Sequence, residues 1–273
     1  MLALELIAEG KLGAALTALQ DQVRKDASNP KHRIFLFQLL CVLGQWNRAL
    51  TQLNVAAELD AAALPMAQTY REAIQCEALR DEVFAGKRAP LIFGEPEPWL
   101  ALLLQALQLD ASDPAGAARA RAQALQDAPA GGGSIDGVPF AWLADADRRL
   151  GPVLEVIVNG RYFWVPMNRI QRIEIDPPTD LRDTVWTAAS FTWSNGAQTV
   201  GLIPTRYQGT LATGDDGLLL ARRTEWVALG EGDAGVGQRM LVTDAGDYAL
   251  MDAREIVFDT AAQQAPAQEQ DHG

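Results

Sequence analysis

The stretch "DPPTDLRDTVW", residues 176–186, carries the densest set of side chains in the chain that could move protons or hold an anion. Asp180 and Asp183 stand three apart with Arg182 between them, and Arg206 and Tyr207 follow in "GLIPTRY". Two carboxylates can share acid and base duties when their surroundings split their pKa values. Here each has an arginine close at hand in the sequence, and a neighbouring guanidinium keeps a carboxylate ionised. The same residues, hydrogen-bonded to one another, would fix the shape of a loop. Pro177–Pro178 stiffens its entry, Thr179 or Asp180 can cap a turn or short helix, and Trp186 and Trp193 can anchor the following strand in the core. A shaped support or contact loop is the simpler expectation. An enzyme built on Asp180, Arg182, Asp183 and Arg206 is the alternative.

Other chemistries find little to work with. The two histidines, His32 and His272, form neither a pair nor a cluster with cysteine, which leaves no metal-ligand set and no well-placed base for a serine triad. The lysines are Lys11, Lys25, Lys31 and Lys87, none in a phosphate-binding loop motif. "GEGDAG", residues 230–235, matches G-x-G-x-x-G, but "VGQRMLVTD" continues as a strand where a dinucleotide site needs a helix. Glu231 and Asp233 would also repel phosphate, so the segment reads as a hairpin loop. No metal and no cofactor is expected. Cys41 and Cys76 fall in helical patterns and make no disulfide framework.

The elements that must position these residues divide the chain in two. The expected fold class is α+β, with a helical repeat domain at 1–128, a Gly-rich linker at 129–136, a strand-rich, mainly antiparallel domain at 137–260, and a disordered tail at 261–273. In the first part apolar residues recur at three- and four-residue spacing. "GKLGAALTAL" from Gly10 aligns with "GQWNRALTQL" from Gly44, an offset of 34 residues, which is the period of tetratricopeptide (TPR) helix pairs. Glycine lets the chain turn between the helices, and Ala15 and Ala49 let them pack closely. Helices at about 64–86, 96–109 and 112–127 complete the stack, the last capped at Asp113–Pro114. Within "RIFLFQLLCVLGQW", Phe35, Phe37, Leu40 and Trp46 are candidates for a groove that accepts a partner helix, or are inter-helix core.

The second part reads as short strands between turn signals. Asn159–Gly160 and Asn195–Gly196 mark two hairpins. "GLLLARR", "TEWVAL", "QRMLVT", "DYALMD" and "EIVFD" read as further strands, with a short helix at about 140–149. The charge is lopsided. The whole chain is −12 at neutral pH. Residues 1–128 hold 12 basic and 15 acidic side chains, whereas residues 129–273 hold 11 and 20. A surface that acidic disfavours nucleic acid and anionic membranes. No apolar run reaches the ~20 residues of a membrane helix, and the opening segment reads as an amphipathic helix, not a signal peptide. The expectation is a cytoplasmic protein.

With "PPTDLRDTVWTAASFTW…NG…VGLIPTRY" (177–207) in place after a TPR-like helical half, the chain resembles the ImpE/TagJ (SciE-type) family, accessory proteins of the bacterial type VI secretion system. The resemblance covers most of the chain. It implies a non-catalytic cytoplasmic protein that associates with the contractile sheath through the small sheath subunit. By that link it implies an indirect influence on how the AAA+ ATPase handles contracted sheath. A generic TPR-like scaffold unrelated to secretion is the other alternative.

Overall fold

The computed structural model describes residues 2–259; the expected tail at 261–273 lies outside them. The first half is helical: α1 (Leu2–Ala8), α2 (Leu12–Lys25), α3 (Pro30–Val42), α4 (Trp46–Leu59), α5 (Leu64–Phe84), α6 (Pro98–Leu109) and α7 (Pro114–Asp127). Gly10 and Gly44 occupy equivalent turns, α1 to α2 and α3 to α4, both with positive φ (71° and 65°) that a β-carbon would strain. Ala15, Leu19, Ala49 and Leu53 are all fully buried in the second helix of their pair. The helical part is consistent with TPR-like hairpins. Its later helices start where proline allows: Asn29 caps α3 ahead of Pro30, and Asp113 accepts from Gly116 N at 2.9 Å ahead of α7.

Between α5 and α6 the chain contributes β1 (Leu91–Ile92). The strands after α7 are β2 (Gly133–Ile135), β3 (Val138–Phe140), β4 (Leu143–Asp145), β5 (Val153–Val158), β6 (Arg161–Pro166), β7 (Ile170–Ile175), β8 (Trp186–Trp193) and β9 (Gln198–Pro204). Two single-turn helices, α8 (Thr210–Thr213) and α9 (Asp216–Leu219), precede β10 (Thr224–Leu229), β11 (Gly232–Gly237), β12 (Met240–Thr243), β13 (Asp247–Ala249) and β14 (Glu255–Phe258). Among the described residues one nine-stranded sheet runs β1-β6-β5-β9-β8-β7-β14-β2-β3, antiparallel except where β1 joins β6. β13-β12-β4 and the β10-β11 ribbon form smaller sheets. Both asparagine–glycine hairpins are present, and Asn159 and Gly160 both take the positive φ that a two-residue turn needs.

Three expectations are corrected. The segment at 140–149 is not a short helix; it holds β4, paired with β12, and then a turn in which Asp145 accepts from Asp147 N at 2.8 Å. "GLLLARR" is not a strand. Asp215 accepts from Gly217 N and Leu218 N, capping α9, and the chain then turns at Ala221 with φ of 53°. The stretch 129–136 is not all linker. Gly133–Ile135 is β2, paired on one side with β14 and on the other with β3, and Ile135 is fully buried. In the first and third a strand from distant sequence supplies what local composition does not show; in the second the deciding groups are local, the Asp215 cap and the turn at Ala221.

The sheet is covered on both faces, and all six residues of β5 are buried, as a central strand between two layers must be. On one face Tyr162, Trp164, Trp186 and Leu202 share a core with Leu39, Ile74 and Trp99 of the helices. On the other, Leu154, Val156, Phe191 and Ile256 pack with Leu143, Leu241 and Leu250. Helical and strand-rich parts thus bury one another. Protease cleavage within 129–132 is therefore expected to leave the two pieces associated on gel filtration, coming apart only in denaturant. Separation without denaturant would show two independent cores.

Candidate functional site

The loop 176–184 is shaped by its own polar groups. Residues Leu181–Thr184 form a single 3-10 turn with Asp180 as its cap. Asp180 Oδ1 accepts from Arg182 N at 3.1 Å, and its Oδ2 pairs with Arg182 Nη2 at 2.7 Å. Asp183 Oδ2 accepts from Thr179 N at 2.6 Å and Asp180 N at 2.8 Å, closing a reciprocal capping box. Asp183 is thus held by backbone N–H groups, not by the arginine its sequence suggests. Asp180 also departs from expectation. Burial raises its pKa, Arg182 offsets this in part, and Asp183 adds to it. Arg182 in turn lies over the ring of Tyr70, 4.7 Å from its centroid.

The other sequence candidates go elsewhere. Trp186 is fully buried; its Nε1 donates to Glu77 Oε1 at 2.8 Å, and it packs on Tyr70 and Trp46. Arg206 is buried and donates to Val42 O at 2.8 Å and Leu219 O at 2.7 Å. It thereby caps the carbonyl ends of α3 and α9, where a cation is favoured. Burial lowers its pKa to about 10, against the opposing pull of Glu77. Tyr207 donates to Asp145 Oδ1 at 2.9 Å. The polar set at 180–207 therefore does not converge on one reaction centre: three members shape a loop and three are buried in the core beneath it.

The largest polar assembly was not singled out by sequence. Arg80 of α5 donates Nε to Glu155 Oε1 at 2.7 Å and Nη2 to Glu155 Oε2 at 3.0 Å, a bidentate pair across the helix–sheet interface. Its Nη2 also reaches Arg206 O at 2.8 Å. Arg239, fully buried, bridges Glu155 and Asp145. Tyr162 donates to Glu155 and receives the indole N–H of Trp164 at 2.7 Å. Beside them Arg149 pairs with Asp147, which also accepts from Gly235 N at 3.0 Å. The buried charges match: Arg80, Arg149, Arg206 and Arg239 against Glu77, Asp145, Asp147 and Glu155. The available signal was a lone glutamate at the centre of "VLEVIV", an apolar strand with one charge that needs a partner.

Above this floor the loop, α5 and the sheet enclose two neighbouring clefts. One, of about 330 Å³, is lined by Tyr70, Asp176, Thr179, Arg182 and Met251. The other, about 490 Å³, opens between Met66 and Glu72 of α5 and Ser190, Val200 and Leu202 of the sheet. A third, of about 360 Å³, is an apolar groove between Leu4, Ile34, Phe35 and Leu181, with Lys31 and Asp180 also on its walls. Of the four partner-groove candidates only Phe35 lines it. Phe37 and Leu40 are buried core, Phe37 with its ring against Tyr70 of α5, and Trp46 is half-buried on Trp186. Burial pushes the Cys76 thiol up to about 12 and the Cys41 thiol well up, far from the thiolate a nucleophile needs. Among the described residues no three His, Cys, Asp or Glu side chains gather as a metal site would require.

Residues 137–257, which include Asp145, Glu155, Arg239 and the capped loop, match the family model described as ImpE protein. Over 262 residues the chain is 57% identical to the type VI secretion system accessory component TagJ of Pseudomonas aeruginosa, covering 95% of this chain and 92% of that protein. The chain belongs to the ImpE/TagJ family. The crystal structure of protein VPA1032 from Vibrio parahaemolyticus shares the fold, with a TM-score of 0.86 at 24% identity over 95% of this chain and 98% of that one. Arg80 and Glu77 lie outside the ImpE segment, on α5, so the family domain completes its charge network only with the helical half.

Two measurements follow. Glu155→Ala strands Arg80 and Arg239 in the core and is expected to cost about 3–5 kcal/mol in denaturant unfolding. Asp180→Ala removes one cap of a half-exposed turn and is expected to cost about 1 kcal/mol. Equal losses would contradict the assignment of the network as the structural centre. The pH response separates the same groups. Burial raises Asp145 to about 6, because Arg239 is shared with Glu155 and Asp147 adds like charge. Glu155, although burial pushes it up, is held at about 2 by Arg80 and Arg239. A folded pKa above the ordinary 3.8 means that Asp145 adds stability as pH falls from about 6. Glu155, below the ordinary 4.5, withdraws stability as pH falls from there towards about 2. The melting temperature is therefore expected to be higher at about pH 5 than at about pH 7, then to fall steeply below about pH 4. A monotonic decline from neutrality would refute this ordering.

Proposed function

We propose that this chain is a non-catalytic accessory component of a type VI secretion system, a cytoplasmic adaptor that binds the small subunit of the contractile sheath. Through that contact it influences how the AAA+ ATPase handles contracted sheath, without touching nucleic acid or membrane. The observation that carries the reading is the 57% identity, over nearly the whole chain, to the TagJ accessory component. The site chemistry supports it. Both carboxylates of the 180–183 loop are spent on capping, and both thiols are buried and protonated. Among the described residues no helix is long and apolar enough to cross a membrane.

The contact best suited to a helical segment is the groove beside Phe35. Leu4, 58% exposed, faces it from α1, Ile34 and Phe35 form its floor, and Leu181 closes it from the capped loop. An incoming amphipathic helix would set anchors at i, i+3/i+4 and i+7 on these side chains, with a few carrying most of the energy. The test is retention of the small sheath subunit by the immobilised full chain. Phe35→Glu is expected to reduce retention at least tenfold while circular dichroism stays unchanged, and native binding should persist at ~0.5 M salt, where exposed charge contacts are screened. Binding lost in salt but indifferent to Phe35 would move the contact to the acidic strand-rich surface. No retention at all would remove the sheath reading and leave the family assignment standing.

A further inference from the structure

The two clefts beside the capped loop meet at Tyr70, Asp176, Arg182 and Ala188, which line both. Strand register explains the hollow. Asp176 N donates to Ala188 O at 3.1 Å and Ala188 stands opposite Leu202, so these three form one row across the helix-facing side of the sheet. Glu174, Ser190 and Val200 form the next row, because side chains two apart share a face. Ala188 and Ser190 are short, which leaves a low floor between an acidic wall at Asp176 and an apolar wall at Leu202 and Val200. The cover given by the helices runs out along β8: Trp186 is fully buried, Ala188 and Ser190 are half-buried, and Val200 beside them is 75% exposed.

The polar groups at the junction lack partners. Tyr70 is only 8% exposed, its ring held by Phe37, Trp186 and the Arg182 guanidinium. Its hydroxyl makes no hydrogen bond among the described residues, yet it is not sealed from solvent, so the small open part of Tyr70 is a free hydroxyl in the cleft. Burial pushes that hydroxyl up to about 12, which keeps it protonated, with its oxygen free to accept. The Asp176 carboxylate is exposed and meets no donor among the described residues, and Glu72 meets only Gln68. Arg182 is already answered by Asp180 at 2.7 Å, and Asp183 is spent on backbone caps. The charge left open in the cleft is therefore negative.

We propose that this junction receives an arginine side chain from a basic segment of a partner protein. The guanidinium takes the Asp176 carboxylate in a two-pronged hydrogen bond and donates a further N–H to the Tyr70 oxygen. The aliphatic stem lies along Leu202 and Met66, as long cationic side chains do on apolar surface. Val200 gives the neighbouring residue of the segment an apolar contact, which a free polyamine, with a charge every three or four carbons, would leave uncovered. The acidity of the chain, −12 overall, draws such a segment in from a distance.

The test is fluorescence anisotropy of a labelled, end-blocked nonapeptide of alternating arginine and alanine, titrated with the full chain at ~0.15 M salt. Saturable binding is expected, and a matched peptide with norleucine for arginine should not bind. Asp176→Asn should weaken binding at least tenfold and Tyr70→Phe about fivefold, since one removes a charged acceptor and the other only a hydroxyl. Neither side-chain group holds any other part of the chain, so the melting temperature of both variants should match the native chain. Asp247→Asn makes the same change of charge at an exposed carboxylate outside the clefts and should leave binding unaltered. Absence of saturable binding, a loss as large in Asp247→Asn, or indifference to Tyr70→Phe would each overturn the proposal. Spermidine binding as tightly as the peptide would replace the protein segment with a small cation and overturn it as well.

Discussion

Everything in this fold is arranged around a carboxylate that sits at the middle of a central strand and is fully removed from water. Glu155 is held by Arg80 from the helices, Arg239 from the strand-rich half and Tyr162 from its own hairpin. A buried charge without partners would cost several kcal/mol, and removing any one partner leaves the others stranded. The constraint therefore falls on geometry: α5 can dock on the sheet only where Arg80 meets Glu155, and the β12 segment only where Arg239 meets both carboxylates. The aromatic side chains follow, with Trp164 and Trp186 giving their indole N–H groups to Tyr162 and Glu77 while their rings fill the interface. Charge pairing selects the arrangement, and apolar burial on both faces of the sheet drives it.

The loop that looks catalytic in sequence depends on this floor. Its 3-10 turn is self-capped, but its place is set by Arg182 over Tyr70 and by Thr205 Oγ1 donating to Asp183 O at 2.7 Å. Rigid loops on a packed scaffold are where recognition is commonly built. Here the loop forms one wall of the apolar groove at Phe35 and borders both clefts against α5. The helical and strand-rich parts thus contribute jointly to each surface, which suits an adaptor whose contact face must keep its shape without a bound partner.

Most of the buried arginines are spent inside, and this gives the acidic composition its consequence. With four arginines neutralised in the core by four carboxylates, the excess of acid among the described residues is displayed on their outside. Like charges on that surface keep copies of the chain apart at long range.

Sequence by itself determined the local elements. The 34-residue offset placed equivalent turns at Gly10 and Gly44, proline and its preceding cap placed the start of α7, and asparagine–glycine pairs placed two hairpins, because each signal acts within a few residues of backbone. The 57% relative and the ImpE match agree with the family read from 177–207. Tertiary structure alone decided the rest. Whether Gly133–Ile135 is linker or strand depends on β14 arriving from more than a hundred residues away. Whether Phe37 is a groove or a core residue depends on Tyr70 of α5 packing against it, and helical periodicity marks an apolar face without naming what covers it. Arg80, Glu155 and Arg239 lie 75 and 84 residues apart in sequence and carry no shared motif. Their attraction exists only once folding has excluded water from between them, so no reading of spacing along the chain could have joined them.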